Sequence, residues 1–205
     1  KGCRAKELLN KVKEFREAID PFYLGRPKHE VADELPSLTM RTVEVELTKE
    51  QRTKYREALN GLLTVGEASG EEEEKEVTKL TAITYCQQIV NHPSLIDCEG
   101  SSQKLSELVS LLKDGDLADE KVIVFTRFKK MVDLIVPALD KQLGKDKTVR
   151  ITGDENGDER EAAKTRFQSP DSDTRVVCIT MAGADAINLQ AAKAIILSLI
   201  HISEP

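Results

Sequence analysis

Two short apolar runs, Val122-Ile123-Val124-Phe125 and Val176-Val177-Cys178-Ile179, limit this chain more than anything else in it. Each is too short and too rich in β-branched residues for a helix, and each reads as a buried strand. The first ends in a hydroxyl and a base, Thr126 and Arg127, and the second in Thr180 followed by small residues and then Asn188. Further strands are expected at Thr148–Ile151 and Ala194–Leu197. Helices separate them. Met131, Val132, Leu134, Ile135, Ala138 and Leu139 line one helical face, with Pro137 expected to kink that helix or start a new turn. After the tight turn Thr152-Gly153-Asp154-Glu155, the acids of Asp158-Glu159-Arg160 suit the start of a helix that reaches Phe167. This alternation predicts an α/β fold, a parallel sheet with helices on both faces. In such sheets ligands bind at the loops leaving the carboxyl ends of the strands. Small residues there let a backbone approach a phosphate or a base.

The first half of the chain reads differently. Leu8, Leu9, Val12, Phe15 and Ile19 share one face of a helix that Asp20-Pro21 stops. Thr42–Leu47 alternates apolar and acidic residues and predicts a half-buried strand. Thr48-Lys49-Glu50-Gln51 is a capping box opening a helix, with Tyr55, Ala58, Leu59, Leu62 and Leu63 as one apolar stripe. Residues 66–76 hold four consecutive glutamates, Glu71 to Glu74, and predict an exposed loop or a disordered insertion. Val77–Val90 predicts a helix closed by Asn91-His92-Pro93, and Ser101 or Ser102 starts another with Leu105, Leu108, Val109 and Leu112 on one face.

Composition excludes some classes. A formal charge of −6 and a pI near 5.3 argue against binding nucleic acid by bulk charge, although much of the acid sits in one segment and a local basic groove is compatible. No apolar run is long enough to span a bilayer, and Lys1 does not begin a charged-then-apolar signal. Cys3, Cys86, Cys98 and Cys178 form no CxxC pair and have no metal-ligand spacing with His29, His92 and His201. Reduced thiols in an intracellular protein are expected, with no metal site. The absence of Trp leaves no evident base-stacking platform.

Several passages carry a resemblance. Thr180-x-Ala182-Gly183-x-x-x-x-Asn188-Leu189 resembles motif V of superfamily-two helicases, above all of the Swi/Snf family of helicase-like ATPases. Lys121–Phe128 resembles motif IV, which opens the second RecA-like lobe, and Gly153 to Phe167 is similar to the stretch Asp-Gly-x-x-x-x-x-Glu-Arg-x-x-x-x-x-x-Phe. Tyr85 to Pro93 resembles the family's Leu-Arg-Gln-x-Cys-Asn-His-Pro helix, whose role is structural, so His92 is not taken as catalytic. Pro21 to Lys28 and Val31 to Pro36 are similar to the passage by which these proteins leave their first lobe, with Gly25 in place of the first paired arginine. Ala186 stands where the family has glycine.

The resemblance implies a mainly helical linker and protrusion over residues 1–100, with the acidic loop at 66–76. It implies a truncated second RecA-like lobe over 101–197, and a non-native tail over 198–205. It implies an ATP-dependent translocase on double-stranded DNA, using ATP and Mg in the full-length parent and completed by an N-terminal ATPase lobe. Neither that lobe's Gly-x-x-x-x-Gly-Lys-Ser/Thr loop nor its magnesium-holding acidic motif occurs here, so the chain alone is expected to bind no nucleotide and to be inactive. The arginines of motif VI are expected beyond the last strand. By the same resemblance Thr126, Arg127, Gly153 and Thr180 face DNA phosphates, while Gly183, Asp185, Ala186 and Asn188 face nucleotide at the interlobe cleft. The implied setting is intracellular, with no membrane partner. Two other readings are a lobe of another superfamily-two DNA or RNA helicase and a non-catalytic interaction module using the acidic loop and helical half.

Overall fold

A computed structural model describes residues 2–23, 38–65, 73–76, 79–184 and 187–198. The chain divides into two compact units, Lys1–Val43 and Glu44–Pro205. In the first, helix α1 (Gly2–Ile19) is followed by a 3-10 turn, Asp20–Phe22, whose Pro21 lies in its first turn. The stop falls where Asp20-Pro21 placed it, because the residue before proline disfavours helical geometry. The expected apolar face is open at Val12 and Phe15, both exposed. The basic passage with Gly25 falls in residues 24–37, outside the described residues.

Thr42–Leu47 is not a strand; no regular element covers residues 38–48. Alternation decides which side chains face the same way, but a strand also needs a partner for its amides and carbonyls. Next, α2 (Lys49–Leu59) begins with the capping box as expected: the Gln51 N–H donates to Thr48 Oγ1 at 3.2 Å and the Thr48 N–H to Gln51 Oε1 at 3.1 Å. The helix is shorter than its apolar stripe. Gly61, at φ 88°, turns the chain, and Leu62 and Leu63 then belong to β1 (Leu62–Val65).

The acidic stretch is corrected in part. Glu73–Glu76 is strand β2, antiparallel to β1 with Leu62 opposite Glu76 and Val65 opposite Glu73. The ladder uses main-chain groups, which a run of like charges does not remove, and β1 supplies the partner. Residues 66–72 lie outside the described residues. Helix α3 (Lys79–Asn91) then packs on α2, enclosing Ala58, Leu63, Cys86, Ile89, Ile96 and Cys98. Buried Gln51 ties the pair together, its Nε2 donating to the Ile89 carbonyl at 2.7 Å. His92 caps the 3-10 turn Pro93–Ile96 by accepting the Ser94 N–H at Nδ1, 3.1 Å. Burial lowers its pKa, so it serves as a neutral cap.

The sheet follows. Helix α4 (Gln103–Lys113) precedes β3 (Val122–Thr126), and α5 (Lys129–Leu143) links it to β4 (Thr148–Ile151). Helix α6 (Gly157–Gln168) leads to β5 (Val176–Ile179), the short α7 (Met181–Ala184) and β6 (Ala194–Ser198). The strand order is β4-β5-β3-β6, and every pairing is parallel. Alternate residues of β3 and β5 divide the lobe into two cores. Val122, Val124, Val176 and Cys178 meet α4 and α5, whereas Val177, Ile179, Ile123 and Phe125 meet Phe167 of α6. Helices therefore cover both faces, as a sheet of continuous apolar strands requires.

Helix α5 runs through Pro137 without interruption. Pro137 is exposed, where water can take the carbonyl that lost its helical donor. Strand β6 extends past the expected Leu197 to Ser198, because Ser198 pairs in register with Thr126. Two cations close the opposite end of the sheet. Arg175 donates to the Leu112 carbonyl at 2.7 Å, and Lys121 donates to the Ser169 carbonyl at 2.6 Å, each satisfying groups near a helix C-terminus.

Candidate nucleic-acid interface

All four strands of the sheet run out into a hydroxyl: Thr152 after β4, Thr180 after β5, Thr126 at the end of β3 and Ser198 at the end of β6. Parallel register sets them side by side along the carboxyl rim. All are buried, Thr126 completely (0% exposed). The Thr126 hydroxyl has no hydrogen-bond partner among the described residues. Thr126 and Thr180, expected to face phosphates, are thus placed beneath the rim rather than on its surface.

The rim gathers the expected residues into two groups. Around the end of β4, the Thr180 N–H donates to the Ile151 carbonyl at 3.3 Å and the Gly183 N–H to the Thr180 carbonyl at 3.0 Å. Gly153 is exposed beside them, and a Cβ added to it would lie 3.2 Å from the Cβ of Ala182. Arg160 of α6 seals this corner, donating to the carbonyls of Thr152 (3.2 Å) and Ala182 (3.1 Å). Glu155 accepts the Thr152 N–H at 2.5 Å and its hydroxyl at 2.8 Å, and pairs with Arg150 Nε at 3.1 Å. Burial pushes the Glu155 carboxyl up, but these bonds and the Arg150 charge hold it below the usual range.

The second group lies where β3 passes into α5. Arg127 is exposed; its NH1 donates to Gln87 Oε1 at 3.0 Å, and its Cζ lies 5.9 Å from the centre of the Phe128 ring. Lys129 and Lys130 follow, with no acidic residue in the first turn of α5. Lys129 is ion-paired with Asp154, whose hydrogen bond raises the Lys129 pKa, and Lys130 is paired with Asp97 at 3.1 Å. Among the described residues Arg127 has no carboxylate partner. The sequence singled out Arg127 but neither this pair nor Gln87, which no local pattern connects to a residue 40 positions away.

The residues expected at nucleotide do not come together in the same way. Gly183 is buried against the Ile151 carbonyl, and its N–H is engaged by Thr180. Its lack of a side chain is therefore explained inside the lobe. Asn188 is exposed and lines an open groove of about 380 Å³ on the α6 side, with Ile123, Phe125, Leu189, Ile195 and Leu197. Asp185 and Ala186, including the backbone geometry that would explain alanine at a family glycine, lie outside the described residues. Gly183 and Asn188 do not compose a nucleotide cradle on their own, and among the described residues no His, Cys, Asp and Glu cluster could hold a metal ion.

A polar node joins the rim to the helical half. Asn91 Nδ2 donates to the Gln87 carbonyl at 2.8 Å, while Asn91 Oδ1 accepts from Lys104 Nζ at 3.1 Å and from Ser198 Oγ at 3.4 Å. The Ser102 hydroxyl donates to the Asn91 carbonyl at 2.6 Å. Burial lowers the Lys104 pKa to about 8.

A parallel sheet of this order with helices on both faces defines a RecA-like lobe, here preceded by a helical segment. Residues 103–203 match the helicase conserved C-terminal domain, and residues 4–95 match the SNF2-related domain. The chain belongs to the Swi/Snf family of superfamily-two helicase-like ATPases. It is 27% identical over 206 residues to Protein CHROMATIN REMODELING 4 of Arabidopsis thaliana, covering 91% of this chain and 9% of that one. It is 27% identical over 196 residues to the DNA repair and recombination protein RAD26 of Saccharomyces cerevisiae, covering 89% and 18%. The chain thus spans less than a fifth of the length of these relatives. Among solved structures it resembles the Sulfolobus solfataricus SWI2/SNF2 ATPase core in complex with dsDNA, with 25% identity and a TM-score of 0.61, covering 90% of this chain and 40% of that one. It also resembles the C-terminal domain of the Sulfolobus solfataricus SWI2/SNF2 ATPase in fold, with 23% identity, a TM-score of 0.56 and coverage of 74% and 67%.

Proposed function

We propose that this chain supplies the linker, the helical protrusion (1–100) and the second RecA-like lobe (101–197) of an ATP-dependent double-stranded DNA translocase, of the chromatin-remodelling or DNA-repair kind. The observation that carries this is an exposed cation at the carboxyl rim, Arg127, which has no carboxylate partner among the described residues. Lys129 and Lys130 are matched by Asp154 and Asp97, while Arg127 is held by neutral groups and keeps its charge for a phosphate. A contact of that kind positions a duplex without reading its sequence. The family match and the DNA-bound relative support the same reading.

Gly153, exposed at the neighbouring turn, is the second surface contact; Thr126 and Thr180 support the rim from below. ATP and magnesium belong to a cleft completed by a first ATPase lobe, where the nucleotide supplies the energy of translocation. Asp185, Ala186 and Asn188 are assigned to that cleft, and Gly183 itself packs against the Ile151 carbonyl at the end of β4. The setting is intracellular, in a nucleus where the source is eukaryotic. Among the described residues no helix is long and apolar enough to cross a membrane.

Fluorescence anisotropy with two unrelated duplexes tests the reading. Equal affinities are expected, both falling as salt rises, and both weakened alike by Arg127→Ala. Binding to one sequence only, or binding indifferent to salt, overturns it.

A further inference from the structure

Arg127 reaches the rim with its guanidinium already placed. One of its five N–H donors is bound by Gln87 Oε1 at 3.0 Å, and the plane lies near the Phe128 ring. Both partners are neutral, so they restrict the group without cancelling its charge. The main chain at Gln87 is tied down, because Asn91 donates to the Gln87 backbone carbonyl at 2.8 Å and is joined in turn to the start of α4 through Lys104 and Ser102 and to β6 through Ser198. The last turn of α3 is therefore fastened to the sheet end from which Arg127 projects.

We propose that Gln87 is a positioning residue for Arg127, presenting the guanidinium to a DNA phosphate, with Asn91 holding the turn from which Gln87 reaches. This rests on the reading of Arg127 as a backbone contact. The choice of an amide at position 87 follows from the chemistry. A carboxylate there would grip Arg127 more firmly but neutralise the charge that a phosphate needs. An apolar side chain would leave a long, rotamer-rich arginine to be immobilised at each binding event, which weakens affinity about two- to tenfold.

The experiment measures anisotropy of the 205-residue chain with a fluorescein-labelled duplex of mixed sequence, over a salt series. It uses Gln87→Leu, Gln87→Glu, Arg127→Ala and the double variant Gln87→Leu with Arg127→Ala. Gln87→Leu should weaken binding about two- to tenfold, and should do nothing further once Arg127 is alanine. Gln87→Glu keeps an acceptor in place, so folding is preserved. It should weaken binding and lower the slope of log affinity against log salt by about one phosphate contact. A merely structural Gln87 would weaken Gln87→Leu equally with and without Arg127, and would leave the Gln87→Glu salt slope unchanged. Either result, or full affinity in Gln87→Leu while Arg127→Ala is weakened, overturns the positioning role alone. Full affinity in Arg127→Ala overturns the backbone-contact reading and the positioning role with it.

Discussion

Gly183 sits so close to Ile151 that a Cβ on it would lie 2.1 Å from the Ile151 carbonyl oxygen. The obstacle is main chain at the end of β4, which cannot rotate aside as a flexible side chain can. Gly183→Ala must therefore shift α7 or the end of the sheet. A loss of about 3 kcal/mol in urea unfolding is expected, the upper part of the range for overpacking. Gly153→Ala meets only the Ala182 Cβ, at 3.2 Å, and should change stability by under about 1 kcal/mol. Equal losses in the two variants would show that the contact at Gly183 is not what requires glycine.

Lys104 gives the chain an alkaline stability term. Its folded pKa is lowered by burial to about 8 from 10.5, so folding disfavours the charged form. Below about pH 8 the ammonium is charged in both states and its burial penalty is present in full. Between about 8 and 10.5 the unfolded chain binds more protons, and stability rises with pH. The gain is about 2–3 kcal/mol across that window. The difference between the wild-type chain and Lys104→Met, followed by denaturation at several pH values, isolates it from other alkaline groups. A difference that stays flat from pH 8 to 10.5 contradicts the assignment.

No steady ATP turnover is expected from this chain by itself. It contains no Gly-x-x-x-x-Gly-Lys-Ser/Thr loop, and the Gly183 amide already donates to the Thr180 carbonyl. Phosphate release with and without duplex DNA checks this. Turnover that co-purifies with the chain and disappears in Arg127→Ala would contradict it.

Much of the sheet was legible because its signals are local. Val122–Phe125 and Val176–Ile179 became β3 and β5, since continuous β-branched runs have few other solutions. The capping box at Thr48 and Gln51 formed because its partners lie within one helical turn. Failures came where the outcome depends on a distant partner. Thr42–Leu47 had the alternation of a strand and lacks the neighbour, while Glu73–Glu76 had an unsuitable composition and gained one in β1. At the rim the resemblance named Thr126 and Thr180, and their positions at strand ends were legible, but their burial depends on what packs above them. Gln87 was invisible as a partner of Arg127 for the same reason.

The Gln51 side chain has a kinetic consequence. Its oxygen completes the first turn of α2 and its nitrogen holds the Ile89 carbonyl near the end of α3, so one rotamer serves both helices. Helix ends ordinarily fray independently, but here a single side chain bridges the two. Amide protons at the start of α2 and the end of α3 should accordingly exchange with deuterium as one cooperative unit, although 38 residues separate Gln51 from Ile89.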